Sequence, residues 1–104
     1  MAVTSKVLAR TAAATSSTTL YTVPNSSTTT VVTNIVISNT AASTSTATIT
    51  IDGINVVPTV SLAANSVFGF DLKQVIPANA TPKVIAGLAS TTSVFFHISG
   101  VEIV

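Results

Sequence analysis

The sequence predicts an all-β protein: a single antiparallel β-sandwich, jelly-roll-like, of about eight strands. Three observations lead there. Thr 19, Val 15 and Ile 9 make the chain strongly β-branched, and branched side chains suit a pleated sheet better than a helix. Short runs of alternating apolar and polar residues recur along the chain. Clusters of Pro, Asn, Ser and Thr separate them, and no run has the period of an amphipathic helix.

The N-terminal stretch Val3 to Arg10 is compatible with a short strand or a turn of helix. Thr11 to Ser17 is Ala/Ser/Thr-rich and reads as a connector. Residues 1–17 are therefore expected to form an arm or strap, and residues 18–104 the sandwich domain. Thr18 to Val23 is the first clear strand, closed by the turn cluster Pro24-Asn25-Ser26. In Thr29 to Ser38, alternation places Val31, Thr33, Ile35 and Ile37 on one face, with Val32 and Val36 on the other. A strand apolar on both sides is expected to be covered on both.

Thr44 to Ile51 alternates cleanly, with Ala47, Ile49 and Ile51 opposite a row of threonines. Such a row is usually the wet face of a sheet; binding of a glycan or an ice-like surface is the sharper reading. Asp52-Gly53 follows, the strongest short-range hairpin signal in the chain. The return strand, Ile54 to Val57, is expected to end at Pro58. Val67 to Leu72 places Phe68, Phe70 and Leu72 on one face and Gly69 and Asp71 on the other. Pro82 to Leu88 is a shorter apolar strand. Ser93 to Ile103 changes phase between Ile98 and Val101, so a β-bulge at Gly100 is expected to keep one inward face.

The chain has 104 residues, enough for one domain. Only 7% of residues are charged while 47% are hydrophobic, and cysteine is absent. The lack of Cys excludes disulfides, zinc-thiolate sites and cysteine nucleophiles. Four basic residues are too few for a phosphate-neutralising nucleic-acid binder. No apolar run approaches the roughly 20 residues of a membrane-spanning helix, and residues 1–10 lack the apolar core of a secretory signal. A cytoplasmically made subunit that buries surface in an assembly is the expectation.

Candidate chemistry is sparse. His97 is the sole histidine, and Asp52, Asp71 and Glu102 are scattered, so no catalytic, cofactor-binding or metal site is predicted. Asp52 reads as a turn residue, and Asp71 and Lys73 as solvent-facing or edge charges. His97 reads as a structural strand residue at a subunit contact; a pH-sensitive contact is the sharper alternative, since histidine titrates near neutrality. Lys6 and Arg10 are either solvated or anchor the N-terminus on an acidic partner. Asn25-Ser-Ser27 and Asn79-Ala-Thr81 match the glycosylation pattern and indicate surface loops.

At Ser5-Lys-Val-Leu-Ala-Arg10, Thr19-Leu-Tyr-Thr-Val-Pro24, Thr30-Val-Val-Thr-Asn-Ile-Val-Ile-Ser-Asn39 and Phe96-His-Ile-Ser-Gly100, the chain resembles a group of small tailed-bacteriophage virion proteins. The similarity spans nearly its whole length. The resemblance implies a non-enzymatic, oligomeric virion component of the head surface or the tail. A small domain with no stalk or repeat favours a capsid decoration or cement protein. It is expected as a trimer bound to the major capsid protein, with the N-terminal segment strapping a neighbour, and with neither nucleic-acid nor membrane partners. The alternative is a tail or tail-fibre subunit recognising a host glycan through loops Pro24 to Thr28 and Pro77 to Thr81. A small hydrolase is disfavoured by the empty site inventory. The interface candidates are Lys6, Arg10, Val32, Val36, Val67 and His97.

Overall fold

The computed structural model describes residues 2–104, which form eight strands and no helix. They are β1 (Val3–Ala12), β2 (Thr18–Thr22), β3 (Thr29–Asn39), β4 (Ser45–Ile51), β5 (Ile54–Leu62), β6 (Ser66–Ile76), β7 (Val84–Ala89) and β8 (Val94–Ile103). One antiparallel sheet runs β1-β8-β3-β6 and the other β2-β7-β4-β5.

The pairings show how the chain reaches this order. β4 pairs with β5, β3 with β6, β2 with β7 and β1 with β8, all antiparallel. The chain is thus one long hairpin folded back at Asp52-Gly53 and rolled up, with β3–β8 and β4–β7 contacts closing the two sheets. This is the jelly roll, as the sequence predicts. At the apex Ile51 faces Ile54, and Asp52 and Gly53 have φ of 54° and 75°. Two positive φ values in a two-residue loop match the right-handed twist of the strands it joins.

Between the sheets, Ile35, Ile37, Phe96 and Ile98 from one meet Ala47, Ile49, Ile85 and Ala89 from the other, all essentially without solvent contact. Asn39 is the largest buried polar side chain. Its amide donates to the carbonyls of Ser43, Leu62 and Ala63, and its oxygen accepts from Ala41 N and Ser45 Oγ. It thereby ties the end of β3 to the segments entering β4 and leaving β5.

Four sequence expectations change. Residues 1–17 were expected as an arm, yet Val3–Ala12 is a strand of the sandwich paired along its length with β8. Leu8, Ala9 and Ala13 are core residues; as a free arm this segment would leave them in water.

The expected faces of β3 are rearranged. Val32 is fully buried, and Val31 lies on the outside with Val36. The register with β8 shifts between Val32 and Asn34, so Thr33 is an extra residue that reverses the face of everything before it.

The bulge expected at Gly100 lies instead on the strands beside it. β8 runs regularly through Gly100, while Leu8 on β1 and Thr33 on β3 are the extra residues. A Cβ on Gly100 would stand 2.2 Å from the Val31 carbonyl oxygen and 2.9 Å from Leu8 Cδ1. Gly100 therefore makes room for its bulged neighbours, and Val101 stays on the outer face.

Finally, β5 does not end at Pro58 but continues to Leu62. It is an edge strand, where a missing N–H costs no ladder bond. Its register shifts around Pro58 and Thr59, with Thr59 at φ 50°. A proline and a bulge also blunt that edge against unwanted pairing.

Candidate functional site

Four of the six interface candidates lie on one surface, the outer face of the β1-β8-β3-β6 sheet. Arg10 is opposite His97, His97 opposite Val36, and Val36 opposite Gly69, which makes a single row across all four strands. Val67 belongs to the next row, with Ser38, Phe95 and Ala12. The other two candidates sit elsewhere. Val32 is in the core, moved there by the Thr33 bulge. Lys6 is at the end of the sandwich, its ammonium 3.3 Å from both oxygens of Glu102.

Exposed valines stand toward both ends of this face, with a polar row of Ser99, Asn34 and Asp71 across its middle. Val67 is 66% exposed, Val3 61% and Val75 57%. Val31, Val101 and Ile103 are half-buried beside them. Its charges stand at its borders, Arg10 on β1 and Asp71 and Lys73 on β6. The Asp71 carboxylate accepts a 2.9 Å bond from Asn34 Nδ2. The outer face of the second sheet has a different chemistry: Thr46, Thr48 and Thr50 line β4, and Thr48 Oγ1 lies 3.0 Å from Thr59 Oγ1. Threonine hydroxyls satisfy one another or water there, whereas valines on the first face have no such outlet.

A polar network closes one end of the sandwich. The Tyr21 hydroxyl donates to Glu102 Oε2 at 2.5 Å and lies 2.8 Å from Thr30 Oγ1. Burial raises the Tyr21 pKa to about 12, assisted by its hydrogen bond to Glu102. Tyr21 and Glu102 were not singled out by residue type. Their signal was positional: Tyr21 precedes a turn on an inward parity, and Glu102 shares the parity of Phe96 and Ile98 once β8 is known to be regular. This cluster binds four strands to one another and opens on no cleft.

Among the described residues no cavity opens on the surface and no three His, Asp or Glu side chains converge. The interior is filled by Ile35, Ile49 and Phe96. Both loops raised for glycan contact are stabilised from within. Asn25 Oδ1 accepts from Ser27 N, Ser27 Oγ and Thr28 Oγ1, and Asn79 Oδ1 accepts from Thr81 N. These are side-chain turns typical of exposed loops.

No family model matches the chain, and no curated protein matches it in sequence. Solved structures do match in fold. A chain in the structure of infectious bursal disease virus Gx strain aligns with 97% of this chain at TM-score 0.52 and 15% identity. A chain in the T13 IBDV viral particle aligns with 97% at TM-score 0.50 and 12% identity. This chain spans 31% and 30% of the length of those two chains. The likeness is one of fold.

Proposed function

We propose that this chain is a non-enzymatic structural subunit of a virion and, within that class, a capsid decoration or cement protein that oligomerises on the major capsid protein. One observation carries the reading: the outer face of the β1-β8-β3-β6 sheet bears exposed valines, Val3, Val67 and Val75 among them, that nothing among the described residues covers. Several exposed apolar side chains gathered on one sheet face of a small domain mark a binding surface. Each Val or Ile covered there contributes about 1.5–3 kcal/mol at most, so a few per subunit, repeated over a shell, add up to a large resistance to bursting. The fold shared with chains of a virus particle supports the virion class. The resemblance of its strand and turn motifs to those of tailed-phage virion proteins points the same way. Fold alone hosts several functions, and jelly rolls also serve as lectins.

The tail or tail-fibre reading needs a surface that recognises a glycan. Sugars are usually met by exposed aromatic rings; Tyr21 and Phe96 are buried, neither exposed loop contains an aromatic residue, and the exposed ring of Phe68 lies on β6, away from both loops.

Quantifying the protein in purified virions, and finding its density in a reconstruction, tests the assignment. A copy number comparable to that of the major capsid protein, with density on the head, is expected. Particles lacking the protein should burst at lower temperature. A few dozen copies at the tail would replace decoration with the tail role, and absence from the particle would overturn the virion reading altogether.

A further inference from the structure

We infer that two copies of this chain pair face to face through the outer surface of the β1-β8-β3-β6 sheet, about a two-fold axis that runs parallel to the strands between β8 and β3. The inference rests on the chemistry of this face and not on the virion assignment.

The placement of charge selects the partner and the axis. Arg10 stands at the β1 border, in the row of His97, Val36 and Gly69; Asp71 stands at the β6 border, one row away with Asn34 and Ser99. Within one copy they are three strand spacings apart, about 14 Å, too far to pair. The proposed axis exchanges the two borders while keeping each residue's position along the strands. Arg10 of the second copy then lies over Gly69, which has no side chain to obstruct it. Asp71 is two residues along β6, about 7 Å away, within the reach of an extended arginine. The symmetry makes this ion pair twice, once at each border.

The centre of the face is self-complementary about the same axis. Because the axis places β8 over β3, Val101 meets Val31, His97 packs over Val36 and Ser99 meets Asn34. An axis perpendicular to the strands would instead stack each β1 on the other, leaving Arg10 near its own copy with no acid opposite it, while Asp71 would meet a β6 that carries Lys73. The contact is isologous and closes at two subunits, so a trimer would have to use the sheet edges.

The available area suffices. Four strands at about 4.8 Å spacing and some ten residues of length give a face of roughly 600 Å², or about 1,200 Å² over both copies. That is near the lower bound for a specific interface, about 1,000 Å².

Sedimentation of the purified full-length chain across a concentration series tests the pairing, with far-UV circular dichroism to verify folding of each variant. A dimer is expected. R10D and D71R each place like charges at both borders and should weaken it about tenfold, while R10D/D71R together should recover it. V36D, at the centre, should give a folded monomer. Three results would overturn the pairing: a monomer at every concentration, association indifferent to R10D and D71R, or a double variant no better than the singles. Absence from virions would leave the pairing intact, just as a monomer found on virions would leave the proposed function intact.

Discussion

The Tyr21 hydroxyl, on β2 of one sheet, donates to Glu102 Oε2 on β8 of the other. A carboxylate only accepts, so the single phenolic proton points at Glu102, and Thr30 on β3 donates its own proton to the phenol. Lys6 on β1 reaches the same carboxylate. Three strands of one sheet are thus tied to the edge strand of the other at one end of the roll.

This arrangement gives stability a defined dependence on alkaline pH. The folded state holds the Tyr21 proton until pH about 12, whereas the unfolded chain releases it near the ordinary tyrosine value of 10.0. Between those values the native state binds more protons, so stability falls as pH rises. The contribution is complete below pH 10.0 and lost through about 12. Tyr21 is the chain's only tyrosine, so tyrosinate absorbance follows this one group. Tyr21→Phe should remove that part of the slope and lower stability at neutral pH by about 1–2 kcal/mol. A native tyrosine titrating as it does in the unfolded chain would contradict the geometry.

Gly100→Ala should be among the most damaging single-methyl changes in the chain. The new Cβ would stand 2.2 Å from the Val31 carbonyl oxygen, a backbone atom that cannot move without shifting β3. The expected loss is about 3 kcal/mol, at the upper end of overpacking penalties, read from the midpoint of urea unfolding. Leu8→Ala relieves only the 2.9 Å side-chain contact, so the double variant should be no more stable than Gly100→Ala. Recovery by Leu8→Ala would place the strain in the bulge rather than in β3.

The same pair of strands explains how far the sequence could be read. Alternation identified the strands, and the Asp52-Gly53 turn fixed the apex on which the whole roll is folded. Phe70 and Leu72 pack on the core as their parity predicts, with Val67 opposite. Bulges defeated the rest. An extra residue at Thr33 reverses the face of Val31 and Val32, yet neither residue type nor spacing announces it. Gly100 signals a close approach without saying which strand supplies the extra residue. Pro58 looks like a terminator and is one only in a central strand, and edge status is a property of topology. On the outer face, Arg10, Val36, Val67 and His97 could be chosen from sequence as surplus to the core. Their alignment into adjacent rows required the register.

Asn39 is a structural clamp rather than a candidate for chemistry. Three backbone carbonyls lean on its one amide group, and Ala41 N and Ser45 Oγ lean on its oxygen. Asn39→Ala leaves buried groups without partners and should cost about 3 kcal/mol. In a domain of this size that is a fall in Tm of roughly 12–24 °C. Asn39→Asp keeps the shape but turns a carboxylate oxygen toward the carbonyls, and should be at least as harmful. A thermal melt unchanged in either variant would show that the loops hold themselves in place.

Two positions, Gly53 just before β5 and Thr59 within it, separate backbone strain from packing. Gly53 has φ 75° and a Cβ added there would meet nothing within 4 Å. Gly53→Ala therefore costs only the left-handed backbone penalty, about 1 kcal/mol. Thr59 has φ 50° and is β-branched, the side-chain class least suited to that region. Its hydroxyl contact with Thr48 is exposed and weak compensation. Thr59→Gly should accordingly raise stability by about 0.5–1 kcal/mol, even after the greater freedom of glycine in the unfolded chain is counted. Chemical denaturation of the two variants should shift the midpoint in opposite directions. If Thr59→Gly also destabilises, the Thr48 hydroxyl pair outweighs the strain, and the bulge is held by its side chains rather than merely tolerated.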